Sequence, residues 1–249
     1  MKETRKSITQ SGADKTTTEN LIRLFKDCPI PEGEMLNHLA LYIKRQNMSR
    51  LIFFYELYKK IIDVHGVAIM FGVRWGQDLA LLETFRGMME PFNHNRKIIG
   101  FDTFEGFPSV SQKDNLGLNK KGDLKVVKGY EAYLDKVLRA HEDASPLAHI
   151  KKFELIKGDA TKTFKQYLEE HPETIIAFAY FDFDIYEPTK ACMELCRGHF
   201  TKGSVIGFDE LNHPEWPGET LAVRETLGLG NIRLNRFPFM PTGSYTVVE

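Results

Sequence analysis

The sequence predicts an α/β fold: a mostly parallel sheet of seven strands with a terminal antiparallel hairpin, helices on both faces and an N-terminal helical extension. Two observations predict it. Five short apolar runs alternate with helical segments, which is typical of parallel strands covered on both faces. The chain then ends in two further runs joined by a turn rich in Pro and Gly, which favours a hairpin.

The predicted elements follow in order along the chain. Residues 1–65 are predicted as a polar tail and a helical extension, and residues 66–249 as the main domain. The strands are predicted at 67–71, 97–101, 153–156, 175–181 and 204–208, with the hairpin at 232–237 and 244–248. The helices are predicted at 21–27, 33–46 and 50–62 in the extension and at 77–90, 129–142, 161–170, 187–200 and 219–227 in the domain.

The composition excludes several classes of protein. Lys and Arg total 33 and Asp and Glu total 34, so the formal charge of −1 gives no reason to expect nucleic acid or an anionic membrane as a partner. No apolar run reaches the roughly 20 residues of a membrane span, and the N-terminal segment lacks the apolar core of a signal peptide. Three cysteines suggest reduced thiols and a cytoplasmic protein, with Cys192 and Cys196 buried. We also expect a homo-oligomer.

Small and acidic residues follow the first three strands. Ligands of open α/β sheets bind beyond the carboxyl ends of the strands. Gly72 and Gly76 would allow a ligand to approach the backbone, although a plain strand-to-helix turn explains them equally well. Asp102 can accept hydrogen bonds from ribose hydroxyls, or form a turn. Asp159 can accept from an adenine amino group, or cap a helix.

Four acidic residues follow the fourth and fifth strands. Asp182 and Asp184 are two positions apart and should face the same side, and Asp209 and Glu210 end the neighbouring strand. Carboxylates this close either take up protons or recruit a cation, and an all-oxygen set suits Mg²⁺ or Mn²⁺. The alternative is that two of the four cap the following helices.

Two loops should overhang this edge of the sheet. Segment 103–128 is long and polar and is a candidate lid. His213 lies in the loop after the fifth strand, where it would help bind an acceptor or shuttle a proton. The alternative is an ordinary surface histidine.

Taken together, the segments over about residues 48–228 resemble the macrocin O-methyltransferase (TylF-like) family of natural-product sugar methyltransferases. The motifs that carry the resemblance are FGVRWG, FDTFEGFP, GDA at 158–160, FDFDIYEPTK and GSVIGFDE followed by PGET. The resemblance implies a Rossmann-like class I fold that binds S-adenosylmethionine (SAM) and a divalent metal. It implies methylation of a sugar hydroxyl on a small glycosylated acceptor, as in members that tailor the deoxysugars of antibiotics.

The resemblance also assigns roles by position. Asp184 matches the proposed general base, and Asp182, Asp209 and Glu210 match the metal ligands, with Asp182 also beside the cofactor. The SAM-binding segments correspond to Gly72, Gly76, Asp102, Thr103, Phe104, Asp159 and Ala160.

The chain departs from the family pattern at three points. Met70 stands where the family usually has an acid, Arg74-Trp75 replaces Trp-Arg, and Glu210 replaces Asp. We therefore predict that Arg74 contacts the carboxylate of SAM.

Other functions remain open from the sequence. The same acids would serve a metal-dependent O-methyltransferase of the catechol type. Met70 would suit a non-catalytic SAM-binding protein. The acids alone would suit a metal-dependent hydrolase.

Overall fold

A single mixed sheet organises the computed structural model, which describes residues 12–115 and 117–249. Within these residues the strands are β1 (Val67–Phe71), β2 (Ile98–Asp102), β3 (Phe153–Lys157), β4 (Ile176–Phe181), β5 (Phe200–Phe208) and β6 (Ser244–Val247). The α-helices are α1 (Gly12–Lys26), α2 (Glu32–Met35), α3 (Arg45–Lys59), α4 (Gln77–Met89), α5 (Tyr130–Asp143), α6 (Ala160–Glu170), α7 (Tyr186–Cys196) and α8 (Pro217–Thr226), and a 3₁₀ helix spans Leu36–Tyr42. The strand order is β3-β2-β1-β4-β5-β6.

The order of the strands creates one cleft. Strands β1 to β5 are parallel, and β6 pairs antiparallel with β5. The chain moves outward from β1 to β3 and then returns to place β4 on the other side of β1. The strand order therefore reverses between β1 and β4, which is where open α/β sheets bind ligands.

The predicted seventh strand is not formed in the described part of the chain. Segment 232–237 makes a single antiparallel bridge, in which Asn235 and Tyr245 exchange N–H···O bonds of 2.7 and 2.9 Å. Pro238 follows and has no N–H to donate, and the chain turns where Met240 N–H donates to the carbonyl of Phe237. The segment therefore leaves β6 after one pair of residues.

Two apolar cores cover the two faces of the sheet. Alternate residues of β1 point to opposite sides, so Ala68 and Met70 join one core while Ile69 and Phe71 join the other. Helices α3, α4 and α5 contribute to the first core and α6, α7 and α8 to the second. The predicted helices on both faces are therefore confirmed. Cys192 and Cys196 are free, fully buried thiols of the second core, as predicted.

The chain forms two compact units, the first ending at Met48 and the second comprising Ser49–Glu249. In the first, the ring of Phe25 meets that of Tyr42 edge-on at 5.0 Å. The part of α3 from Ser49 onward belongs to the second unit, where Phe53 and Phe54 are fully buried.

The predicted division of the chain after residue 65 stays a prediction. The predicted polar tail falls partly on residues 1–11, which lie outside the described residues. Among the residues that are described, no helix combines the length and apolarity that crossing a bilayer requires.

A buried charge network joins α4 to α5 and to the start of β3. Arg86 donates to Glu142 at 3.0 Å and to the carbonyl of Lys152 at 2.7 Å. Glu83, one turn earlier on α4, is 1% exposed, and neither of its carboxyl oxygens has a hydrogen-bond partner. Burial raises the pKa of Glu83 to about 8, against the opposing charge of Arg86.

Stability is therefore expected to depend on pH through Glu83. The pKa of Glu83 is raised from the usual 4.5 to about 8 in the folded state. The contribution of Glu83 to the free energy of unfolding is therefore greatest below pH 4.5 and is lost as the pH rises to 8. Glu83→Gln should remove this dependence and stabilise the protein at pH 8 by a few kcal/mol, since one pKa unit is about 1.4 kcal/mol.

Urea unfolding at pH values from 5 to 8 measures this effect. The exposed Glu169→Gln is the matched control and should behave as the wild type does. Parallel pH profiles for the wild type and Glu83→Gln would contradict the prediction.

Candidate active site

A cavity of about 470 Å³ lies at the carboxyl ends of the strands, within the second compact unit. Its volume falls in the range typical of small-molecule sites. Of the residues singled out in the sequence, the cavity is lined by Gly72, Arg74, Gly76, Asp102, Thr103, Asp159, Ala160, Asp182, Asp184, Asp209 and Glu210. The topology thus brings together side chains from the ends of β1 to β5.

The turn between β1 and α4 forms one wall and requires glycine. Gly72 has φ +94°, and a Cβ there would lie 2.0 Å from the carbonyl oxygen of Asp182. Gly76 has φ +79°, and its Cβ would collide with Leu134 at 2.4 Å. Both glycines are therefore needed for packing within the protein, in addition to any role beside a ligand. Arg74, between them, also has a positive φ of +49°.

Asp102 fixes the shape of two loops. Its Oδ2 accepts hydrogen bonds of 2.7 Å from the N–H groups of both Val73 and Arg74, and its Oδ1 accepts one of 2.6 Å from Phe104 N–H. The carboxylate therefore holds the β1–α4 turn against the segment after β2. The predicted hydrogen bonds to ribose hydroxyls would add to these contacts and stay a prediction.

Helix α6 begins at the cavity directly after β3, and Asp159 caps its N-terminus. Asp159 accepts hydrogen bonds from the N–H of Thr161 at 3.1 Å and from its hydroxyl at 2.7 Å, so the capping interpretation is confirmed. The predicted contact of Asp159 with adenine stays a prediction. Ala160, the first residue of α6, lies beside it in the cavity wall.

The carboxylates of Asp182, Asp184 and Asp209 meet at the ends of β4 and β5. Asp184 lies in the left-handed region at φ +62° and is 8% exposed, a strained conformation of the kind that clusters at functional sites. Burial raises the pKa of Asp182 well above its usual range, and Asp209 adds to the rise. Burial and the neighbouring Asp182 do the same for Asp184. Confined carboxylates of this kind hold protons or need a cation.

Arg50 of α3 supplies that cation. Its Nη1 lies 2.5 Å from Asp209 Oδ1, and its Nη2 lies 2.8 Å from Asp182 Oδ2. Nε and Nη2 bind Asp78 Oδ2 at 2.9 and 2.7 Å. A single guanidinium thus binds three carboxylates.

The predicted divalent-metal ligands do not fit a metal ion in this arrangement. Two of the three, Asp182 and Asp209, direct carboxylate oxygens at Arg50, while Glu210 lines the cavity nearby. In residues 12–115 and 117–249, no group of three or more His, Cys, Asp or Glu side chains is arranged to hold a metal. The geometry observed is that of a carboxylate–guanidinium network.

Two of the predicted site residues lie outside the cavity lining. Phe104 is 4% exposed and belongs to the first apolar core. His213 lies in the loop before α8, where its Nδ1 accepts a 3.3 Å hydrogen bond from Glu215 N–H. The predicted roles of both residues in binding and catalysis stay predictions.

Sequence reasoning missed several cavity residues. Arg50 and Asp78 lie on helices, and no local pattern sets them apart from surface charges. The sequence predicted that an aromatic loop containing Trp216 overhangs this edge, but not that Trp216 meets Phe107 edge-on at 6.1 Å and packs with Ile185. The sequence signal for this contact was the clustering of aromatic and Pro residues in segment 103–128 and in the loop that contains Trp216.

The segment between β2 and α5, predicted as a lid, is fastened to α7 and α8. Asp114 is 5% exposed and accepts a 2.8 Å hydrogen bond from Tyr186 N–H at the start of α7. Lys113 binds the hydroxyl of Tyr186 at 2.7 Å and the carboxylate of Glu225 at 2.5 Å. In the conformation described, the segment forms one wall of the cavity.

Replacing Gly72 should destabilise the protein. Gly72→Ala places a Cβ against the Asp182 backbone at positive φ, so we expect a loss of roughly 2–4 kcal/mol in the free energy of unfolding. Gly198→Ala is the matched control, because a Cβ there meets nothing within 4 Å. Chemical denaturation compares the two variants, and equal stability would show that the turn relaxes freely.

The chain is similar in sequence and structure to a methyltransferase of known structure. A crystal structure of CalS11, a calicheamicin methyltransferase, is 41% identical with a TM-score of 0.94, and the match covers 98% of each chain. An apo structure of CalS11, described as a TDP-rhamnose 3'-O-methyltransferase of calicheamicin biosynthesis, is 40% identical over 96% of each chain, with a TM-score of 0.86.

A more distant structure shares the fold. The O-methyltransferase NovP is 16% identical over 81% of this chain and 80% of its own, with a TM-score of 0.59. No protein-family model and no curated protein matches the sequence. The identity to CalS11 along nearly the whole chain is nevertheless decisive, and it confirms the resemblance found in the motifs. The chain belongs to the macrocin O-methyltransferase (TylF-like) family and is a SAM-dependent O-methyltransferase.

Proposed function

We propose that this enzyme methylates a hydroxyl of a deoxysugar carried by a nucleotide or a natural product, as a tailoring step in antibiotic biosynthesis. The observation that carries the proposal is the 40% identity, over 96% of each chain, to a TDP-rhamnose 3'-O-methyltransferase. The cavity supports it, because its lining combines glycine turns with aromatic and acidic side chains.

The wall formed by β1, β2 and β3 is the proposed SAM site. The residues present suit this cofactor, because Gly72 and Gly76 present backbone without a side chain to the cavity, and Asp102 holds the turn between them. Met70 is 1% exposed in the core, so it cannot take the place of the family's usual acid beside the methionine end of SAM. Arg74 lines the cavity, and we propose that it pairs with the SAM carboxylate.

The aromatic part of the cavity lining is the proposed acceptor site. Phe107, Ile185 and Trp216 form an apolar cluster whose three members all line the cavity. Binding sites of this size combine apolar and aromatic walls with a few polar groups that set orientation. Here the aromatic rings would bind the face of the sugar, and Asp184 and Glu210 would bind its hydroxyls.

Asp184 is the proposed general base. Bound SAM would supply an electrophilic methyl group on its sulfonium sulfur, and S-adenosylhomocysteine would be the leaving group when the acceptor oxygen takes that methyl group in line. As the new O–C bond forms and the S–C bond breaks, the hydroxyl proton passes to the Asp184 carboxylate. The aromatic wall and the Asp102-held turn supply the alignment on which in-line displacement depends. No step in this scheme needs a metal ion, and the expected Mg²⁺ or Mn²⁺ stays a prediction.

Asp184→Asn tests this role. Removing a general base typically costs about 10²–10⁴ in rate, so kcat should fall by at least that lower factor while the affinity for SAM stays close to that of the wild type. Turnover of a thymidine-diphosphate deoxysugar and calorimetry with SAM measure the two quantities. The exposed Asp143→Asn is the control and should retain wild-type activity.

An acceptor panel tests the substrate class. We expect methyl transfer to thymidine-diphosphate deoxysugars or to glycosylated natural products, and none to catechol. Methylation of catechol without turnover of any sugar would overturn the assignment. SAM binding without transfer to any member of the panel would instead favour a non-catalytic protein.

A further inference from the structure

Arg50 occupies a position that is built for a guanidinium. Its Cζ lies 5.5 Å from the centre of the Phe54 ring and 6.0 Å from that of Tyr180. The Tyr180 hydroxyl also donates to Asp209 Oδ1 at 2.7 Å, the same oxygen that accepts from Arg50. Planar aromatic faces and paired carboxylate oxygens are the partners that arginine binds best. The contacts of Arg50 are therefore specific to its guanidinium.

Helix α3 also fixes where Arg50 can reach. Phe53, Phe54 and Leu57 follow Arg50 on this helix, and all three are fully buried in the first core. The Arg50 side chain itself is 21% exposed. The backbone that carries Arg50 is thus held firmly, whereas its side chain keeps a path to the cavity.

One positive charge is a poor match for this cluster. Arg50 faces the three carboxylates of Asp78, Asp182 and Asp209. Glu219 at the start of α8 is fully buried, and neither of its carboxyl oxygens has a hydrogen-bond partner in the described structure. Burial, with the nearby charges of Asp209 and Asp182 adding to it, raises the pKa of Glu219 well above its usual range. Three ionised carboxylates would carry more negative charge than one guanidinium balances, so the cluster accommodates either protons or a doubly charged ion.

A divalent ion and Arg50 need the same oxygen atoms. Oxygen ligands bind such ions at about 2.0–2.6 Å, and an ion at that distance from Asp182 Oδ2 and Asp209 Oδ1 would occupy the space of the guanidinium. We propose that Arg50 is the resident counter-cation of this cluster and that a divalent cation reaches Asp182 and Asp209 only by displacing it. The exchange concerns the protein without cofactor or acceptor, so it goes beyond the proposed methyl transfer and does not rest on it.

Titration of the cofactor-free protein with Mn²⁺ tests the exchange. Arg50→Gln removes the competing charge, so we expect it to bind Mn²⁺ at least about ten-fold more tightly than the wild type. Arg139→Gln makes the same change of charge on the exposed face of α5 and should bind Mn²⁺ as the wild type does. Electron paramagnetic resonance of free Mn²⁺ gives the affinities. Equal affinity of Arg50→Gln and the wild type, or no binding by either, would overturn the proposal.

Thermal unfolding provides a second readout. Without metal, Arg50→Gln leaves the carboxylates unbalanced and should unfold at a lower temperature than the wild type, and Mn²⁺ should restore more of the loss than it adds to the wild type. An equal shift with Mn²⁺ in both proteins would count against displacement.

Arg50→Lys keeps the test available if Arg50→Gln does not fold. Lysine keeps the positive charge but cannot bridge Asp182 and Asp209 with a planar fork. The Arg50→Lys variant should therefore bind Mn²⁺ more tightly than the wild type, and less tightly than Arg50→Gln where that variant can also be measured. Adding Asp182→Asn to Arg50→Lys should remove the gain. Wild-type affinity in Arg50→Lys, or a gain that survives Asp182→Asn, would refute the exchange.

Discussion

The burial of several carboxylates at one edge of a parallel sheet is the constraint on which the rest of the site depends. Asp182 follows β4 and Asp209 follows β5, so the pairing of these two strands brings like charges together in a poorly solvated place. Arg50 compensates this charge from α3 through hydrogen bonds to both. The helix before the first strand is thereby tied to the functional edge of the sheet.

The side of the cleft formed by β1 and β2 is organised by a different carboxylate. Both carboxylate oxygens of Asp102 accept hydrogen bonds from backbone N–H groups, so Asp102 fixes the Gly72 turn relative to the segment after β2. Gly72 in turn packs its backbone against Asp182. The two halves of the cleft are therefore rigidly connected, which suits a reaction that depends on alignment more than on covalent chemistry.

Two loops form the aromatic part of the cavity lining. Asp114 and Lys113 fasten the segment after β2 to α7 and α8, and this brings Phe107 against Trp216 from a loop far along the chain. Loops carried by a rigid scaffold commonly set specificity in this way. The expected oligomer stays a prediction.

The sequence by itself determined the five parallel strands, the helices on both faces and most of the cleft residues, because apolar periodicity and the ends of strands are local signals. It overestimated the hairpin, since one proline and a turn reduce the segment near Asn235 to a single bridge. Only the tertiary structure showed Arg50 among the carboxylates, because that contact joins residues 159 positions apart. For the same reason the sequence could not show whether a metal ion fits, because the Arg50 guanidinium binds the carboxylate oxygens of Asp182 and Asp209 that were predicted as metal ligands.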